Sequence, residues 1–355
     1  MISKNKIKVL IVDDSALIRQ TLTSIISSRS DMEVIATASD PYIAVNKMKT
    51  EKPDVITLDI QMPRMDGITF LKKIMKQHPL PVVVVSSIAQ KESKLALEAY
   101  ANGAIDVIEK PTLSSNLLLE EWRDTLIEAI LSAANSRLPK FRMKSINVSK
   151  TKNNLAIKPV NKKQPCNSFV LIGSSAGGTE VILKILSQLE INTPPILIVQ
   201  HMPEQFTASY ADRLNNNSCL TVKEADTGDE LYRGIALIAP GNKHMKLNNN
   251  GFNFFVELNS NDKVNRHRPS VDVLFESAIR YSSNNIMAII LSGMGNDGAA
   301  AMLKLKHEGA ITIAQNNESS IVYGMPKVAL KIGAADFSLS IEEIIEAINK
   351  FAKKH

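Results

Sequence analysis

The chain has 355 residues, 44% of them apolar and 22% charged, with a formal net charge of +6. That length suits two domains rather than one, and that composition gives each a core, which excludes a disordered or fibrous protein. No run of about 18 apolar residues appears and Met1 to Val12 lack the pattern of a signal peptide, so a soluble, cytoplasmic chain without membrane insertion is expected.

Residues 1–135 alternate short apolar runs with amphipathic stretches five times, the pattern of a doubly wound parallel sheet. The predicted strands are Ile7–Val12, Glu33–Ala38, Val55–Leu58, Val82–Val85 and Asp106–Ile108. Helical stretches run over Ala16–Ser27, Tyr42–Lys49, Thr69–Lys76 and Lys94–Asn102, and a longer one over Leu117–Ala134 closes the unit. Polar residues gather where these strands end: Asp13 and Asp14, then Asp59, Ser86 and Lys110. In an open α/β sheet all those ends share one edge, and ligands bind there. Three carboxylates make a hard oxygen site suited to Mg²⁺. An ammonium and a hydroxyl beside them suit a phosphoryl group, and one Asp can then become an aspartyl phosphate. A single Asp after a strand is ordinarily a cap or turn residue; the whole set in this order points to chemistry.

Residues 136–168 carry nine Lys and Arg and no acidic residue, whereas 1–135 sum to −1 and 169–355 to −2. The positive charge therefore belongs to one short segment, which also holds Pro139, Pro159 and Pro165 and no apolar period. It reads as a flexible linker over 136–167 rather than a nucleic-acid arm, and no nucleic-acid partner is expected.

From residue 168 the alternation resumes, and 168–355 reads as a second doubly wound α/β domain. Strand Phe169–Ile172 opens onto Gly173-Ser174-Ser175-Ala176-Gly177-Gly178, followed by a helix with Val181, Ile182, Ile185, Leu186 and Leu189 on one face. Strand Ile196–Val199 ends at Gln200-His201. Ile235–Ala239, Met245–Leu247 and Phe252–Leu258, with the turn Asn248–Gly251, read as an inserted β-hairpin. Helix Val271–Tyr281 and strand Ile286–Leu291 lead to Gly293-Met294-Gly295-Asn296-Asp297-Gly298 and a further helix. Strand Ile311–Ala314 and helices around Lys327–Ile332 and Ile341–Ala352 complete the domain. Cys166 and Cys219 are too few for a disulfide scaffold or a thiolate metal site.

Ser175, His201 and Asp297 thus lie just past three strand ends, the arrangement a Ser-His-Asp triad needs. A helix start after Ser175 could offer backbone N–H groups to an oxyanion. GSSAGG lacks the spacing of a dinucleotide fingerprint and the Lys of a P-loop. Periodicity alone does not choose between Ser174 and Ser175, nor among His201, His244 and His267.

Motifs in both halves carry a family resemblance. VLIVDDS, ITLDIQMPRMDG, VVVVSS and IEKP resemble the signatures of response-regulator receiver domains across residues 1–125. IGSSAGGTE, QHMPEQFT, APGNKHM, NRHRPSVDVLF, LSGMGNDGA and AQNNESSIVYGMP resemble the catalytic domain of the chemotaxis protein-glutamate methylesterase (CheB) family over most of 168–340. The first resemblance implies a flavodoxin-like receiver. Asp59 would be its phosphoacceptor, Asp13, Asp14, Asp59 and the Gln61 carbonyl its Mg²⁺ ligands, Ser86 and Lys110 its switch residues, and Lys110–Pro111 a cis peptide. Val107 stands where many receivers carry an aromatic switch residue. The second resemblance implies Ser175 as nucleophile, His201 as base, Asp297 as orienting carboxylate and the Met294 N–H as oxyanion donor, with no cofactor in that domain. Ala176 stands where some relatives carry Thr, and the cluster Arg266, His267 and Arg268 receives no role. The implied activity is phosphorylation-controlled hydrolysis of glutamyl methyl esters on chemoreceptors, with deamidation of receptor glutamines, and a histidine kinase as phosphodonor. A receiver-controlled DNA-binding or nucleotide-binding regulator is the alternative; the −2 charge of the second domain and the lack of a helix-turn-helix pattern stand against DNA binding.

Overall fold

The computed structural model describes residues 6–87, 92–110, 116–138, 166–281 and 285–354. The chain divides into two compact units, Met1–Pro139 and Lys140–His355. Most of the basic segment, and the Lys110–Pro111 peptide bond, lie outside the described residues.

The first unit runs β1 (Ile7–Val12), α1 (Ala16–Ser27), β2 (Met32–Ala38), α2 (Pro41–Thr50), β3 (Val55–Leu58), α3 (Gly67–Gln77), β4 (Val82–Ser86), α4 (Glu92–Ala101), β5 (Asp106–Glu109) and α5 (Asn116–Ala134). Its five strands are parallel in the order β2-β1-β3-β4-β5. β3 and β4 are buried along their whole length, which explains their apolar character, interrupted within β3 by Thr57: helices cover both sheet faces. Helix starts are set by side chains that accept the first free N–H groups. Ser15 does so for α1, Asp40 for α2 (with Pro41 pre-set for the first turn) and Asp66 for α3.

The second unit runs β6 (Phe169–Ser174), α6 (Thr179–Leu186), β7 (Ile196–Gln200), α7 (Glu204–Asn216), β8 (Thr221–Glu224), β9 (Ile235–Ile238), β10 (His244–Asn249) and β11 (Phe254–Asn259). It continues through α8 (Val271–Ala278), a short 3₁₀ turn, β12 (Ile286–Ile290), α9 (Ala299–His307), β13 (Ile311–Gln315), α10 (Met325–Lys331), β14 (Phe337–Leu339) and α11 (Ile341–Lys354). Seven strands form one parallel sheet in the order β14-β13-β12-β6-β7-β9-β8. β10 and β11 pair as a separate antiparallel hairpin, and Gly251 supplies the left-handed conformation (φ 91°) that its turn requires. Phe169, Leu171, Leu197, Phe275, Ile290 and Met302 belong to one buried cluster.

Three elements go beyond the sequence reading: α7, β8 and β14. Two boundaries matter for function. Ser86 and Ser174 close strands rather than following them, and α6 begins at Thr179, four positions past Ser175. The helix over residues 271–281 is α only to Ala278 and tightens to 3₁₀ at Ile279–Tyr281. Among the described residues no helix is long and apolar enough to cross a membrane.

Candidate active site

β6 sits near the middle of the second sheet, with β7 on one side and β12 on the other. The strand order reverses at the β12–β6 boundary, the place where open α/β sheets leave a crevice. Ser174 pairs with Gln200 in register, so Ser175 and His201 leave adjacent strands side by side. Gln200 ties the two together, its Nε2 donating to the Ser175 carbonyl at 2.9 Å and to the His201 carbonyl at 3.1 Å.

The environment separates the two serines. Ser174 is wholly buried and its hydroxyl donates to the Ser292 carbonyl at 3.2 Å. Ser175 is partly exposed. Its N–H donates to the Ser292 carbonyl and its carbonyl accepts from Gly178, closing a tight turn that presents the side chain at the sheet edge. Gly293 lies against this turn: a Cβ there would stand 2.8 Å from Ser175 Cβ and 2.4 Å from Met325 Sδ. Gly293→Ala is therefore expected to cost roughly 1–3 kcal/mol of stability in denaturant unfolding. Because the clash pushes on Ser175, turnover should fall as well.

His201 Nε2 lies 2.9 Å from Asp297 Oδ2. An ionised carboxylate only accepts, so Nε2 carries the proton and Nδ1 keeps the lone pair. That Nδ1 is buried and has no hydrogen-bond partner among the described residues. Asp297 also accepts from Asn265 Nδ2 (2.8 Å), Ser270 Oγ (2.7 Å), Val271 N (2.7 Å) and Asp272 N (3.2 Å). Burial on its own would raise its pKa, but the hydrogen bond and charge of His201, with Asn265 and Ser270, outweigh burial and hold Asp297 well below the usual carboxylate range. Asp297 therefore sits at the N-terminus of α8, a distant helix, rather than capping the helix that follows it in sequence.

The other two candidate bases differ. His244 has both ring nitrogens engaged: Nδ1 accepts from Ser270 N at 3.2 Å and Nε2 lies 3.0 Å from the Asp262 carbonyl. His267 instead stacks on His201, ring centroids 3.8 Å apart and planes within 13°. Arg268 holds the Ser260 and Asn261 carbonyls and the Asn242 side chain, a structural task. Gln200, Asn265 and Ser270 lie inside the motifs QHMPEQFT and NRHRPSVDVLF but received no role from the sequence, since their partners are brought together only by folding.

Met294 follows Gly293, whose backbone is fixed on both sides: its N–H donates to Val322, and its carbonyl accepts from Gly324 and Met325. The Met294 N–H donates to no backbone carbonyl among the described residues. α6 begins at Thr179, and its N-cap residue Gly178 spends its own N–H on the Ser175 carbonyl.

In the first unit, β1 and β3 adjoin, and carboxylate oxygens of Asp13, Asp14 and Asp59 lie within 4.8 Å of one another. Lys110 Nζ lies 2.8 Å from Asp13 Oδ2 and 2.7 Å from Asp59 Oδ2. Burial, opposed by Lys110 and reinforced by the Asp13 charge, pushes the Asp59 pKa up to about 6. Burial works against the Lys110 charge, but its two carboxylate partners prevail and hold its pKa above the ordinary value. Three carboxylates against one ammonium leave a negative excess that a divalent cation would balance, so the donor set fits Mg²⁺. Ser86 is buried and its hydroxyl donates to the Ser87 carbonyl at 3.3 Å. Val107 is buried in β5.

Comparisons with known proteins bear on both units. The family description "CheB methylesterase" matches residues 170–348, and "Response regulator receiver domain" matches residues 9–121. The chain is 48% identical over 348 residues to a protein-glutamate methylesterase/protein-glutamine glutaminase of Oleidesulfovibrio alaskensis, covering 97% of this chain and 98% of that one. It is 47% identical to one from Geobacter metallireducens, with the same two coverages. The crystal structure of the Thermotoga maritima CheB methylesterase catalytic domain is similar with a TM-score of 0.50 and 42% identity, over 52% of this chain and 97% of that one. The receiver match implies a Mg²⁺-binding phosphorylation site, and the acidic cluster agrees with it. A receiver ahead of a methylesterase domain, at this identity and over nearly the whole length, places the chain in the CheB family of chemotaxis protein-glutamate methylesterases.

Proposed function

We propose that this chain hydrolyses glutamyl methyl esters on chemoreceptors and deamidates receptor glutamines, with Ser175 as nucleophile, His201 as base and Asp297 as the carboxylate that orients it. The observation that carries the reading is the 2.9 Å His201–Asp297 bond at the strand end next to the accessible Ser175. Ser175 Oγ attacks the side-chain carbonyl carbon and passes its proton to His201 Nδ1, the nitrogen left free by the Asp297 bond. The Met294 N–H stabilises the oxyanion. Collapse of the tetrahedral adduct expels methanol from an ester or ammonia from an amide, each taking the proton from Nδ1. Water then attacks the acyl-serine with His201 again as base, returning free glutamate and Ser175. Asn265, Ser270 and the N-terminus of α8 keep Asp297 ionised, so that it stabilises the imidazolium formed in each step.

The receiver supplies control. Asp59 would take the phosphoryl group from a chemotaxis histidine kinase, and Lys110 would pair with the phosphate. Asp13, Asp14, Asp59 and the Gln61 carbonyl would hold Mg²⁺, which neutralises charge at the incoming group when bound. Ser86 is the hydroxyl that follows the phosphate, and the basic stretch over 136–167 tethers the two domains. The cytoplasm is where kinase and receptor tails meet.

Competition tests the shared site. A receptor carrying glutamine at its modification positions should release ammonia, and a methylated receptor added to it should suppress that release while yielding methanol. Ammonia release that is indifferent to methylated receptor would separate the two activities. A chain beginning at Asn167 should release methanol faster than the intact unphosphorylated protein and ignore a phosphodonor; equal basal rates would mean that the receiver acts by stimulation instead.

A further inference from the structure

The Arg266-His267-Arg268 cluster supports a role for its histidine. Residues 264–267 form a tight turn in which Val264 and His267 exchange backbone hydrogen bonds of 3.1 and 2.9 Å. Its central residues, Asn265 (φ 52°) and Arg266 (φ 69°), both adopt the left-handed conformation, which Asn tolerates and Arg does not favour. Such strain persists only where the surroundings over-determine it. Here buried His244 binds the Asp262 carbonyl on one side of the turn and the Ser270 N–H on the other, and Arg268 clamps the Ser260 and Asn261 carbonyls. The turn so held delivers two groups to one place. Asn265 Nδ2 bridges Asp297 Oδ1 at 2.8 Å and Asp272 Oδ2 at 2.6 Å, and the His267 ring lies flat on His201.

We propose that His267 is a positioning residue for the hydrolysis: its neutral ring holds the His201 imidazole in line with Asp297 and offers a π face to the imidazolium that forms when Ser175 gives up its proton. The proposal rests on His201 being the base. An imidazole held by one hydrogen bond at Nε2 can still swing about that bond, and a planar partner at stacking distance removes that freedom. A cation over an aromatic face is further stabilised by the ring quadrupole. The partner must itself stay uncharged, since two stacked cations repel. Burial first, and then the charge of His201, push the His267 pKa down to about 3, helped by Arg266 and Lys263 and opposed by Asp297.

The test compares flat and non-flat replacements in the full-length protein, with methanol release from methylated receptor as the readout. His267→Phe should keep kcat within about threefold of the parent. His267→Leu, of similar apolar bulk but without a face, should lower kcat roughly tenfold with KM unchanged. His267→Met makes the same comparison should Leu pack badly, and thermal unfolding confirms that each variant is folded. In a His201→Ala background neither replacement should slow the residual rate further, because His267 acts through His201. Equal kcat for the Phe and Leu variants would overturn the proposal, as would a rise in KM alone or a further loss in the His201→Ala background. If His201→Ala itself turns over like the parent, the base assignment fails and this proposal with it. A dead His201→Ala beside a fully active His267→Leu defeats only the proposal.

Discussion

Ser175→Ala should leave the fold intact and lower methanol release by at least about a thousandfold, the scale of losing a triad nucleophile. The side chain is partly exposed at a sheet edge, so removing Oγ opens no cavity and breaks no buried hydrogen bond. Ser174→Ala is the matched control. It removes a buried hydroxyl bonded to the Ser292 carbonyl, which should cost about 1 kcal/mol of stability and little activity. If Ser174→Ala were inactive and Ser175→Ala active, the nucleophile would be misplaced by one residue. His201→Gln and Asp297→Asn should each be severely impaired, and their losses should not multiply with that of Ser175→Ala, because the three act as one unit. For Asp297→Asn the cause is the lost charge. An amide oxygen turned toward Nε2 still accepts from it but carries no charge to stabilise the imidazolium, and the amide NH2 then faces the donors of Asn265, Ser270 and Asp272.

Asp59→Asn should abolish activation by a small phosphodonor with Mg²⁺ while leaving basal hydrolysis unchanged. The substitution keeps the size of the side chain and removes the nucleophilic oxygen. It also relieves a buried carboxylate pair that shares one lysine, so the receiver should not lose stability. Phosphate uptake measured on the purified variant decides the point: incorporation that persists in Asp59→Asn would assign the phosphoacceptor elsewhere. A variant that remains phosphate-responsive without incorporating phosphate would contradict the link between Asp59 and the esterase.

Most of the architecture was legible in the sequence because the strands that carry it are buried on both faces. β4, β6 and β7 read as apolar runs, and Ser86, Ser174 and Gln200 at their ends stand out as polar. The elements that escaped lie where this signal fades. β14 is three residues long and largely exposed, and β8 is a sheet-edge strand with one buried position. α7 hides an apolar stripe of Phe206, Tyr210, Ala211 and Leu214 among polar residues, and Pro203 offers no side-chain cap to announce its start. The positions proposed for the triad drew notice because they follow strand ends. Their supports were not. Asn265 and His267 come from a turn with two left-handed residues and no glycine to mark it. They reach Asp297 and His201 across 32 and 66 positions of sequence, a proximity that only the fold creates. Likewise, the choice between Ser174 and Ser175 turns on which hydroxyl is buried, a property of the turn at the end of β6 rather than of the motif.

The most direct measurement is methanol release from a methylated chemoreceptor by the intact protein, with and without a small phosphodonor and Mg²⁺. The expected result is a low basal rate that rises on addition of the phosphodonor, loses that rise in Asp59→Asn, and disappears altogether in Ser175→Ala. Methanol release that is undiminished in Ser175→Ala, or no release from the parent protein under either condition, would contradict it.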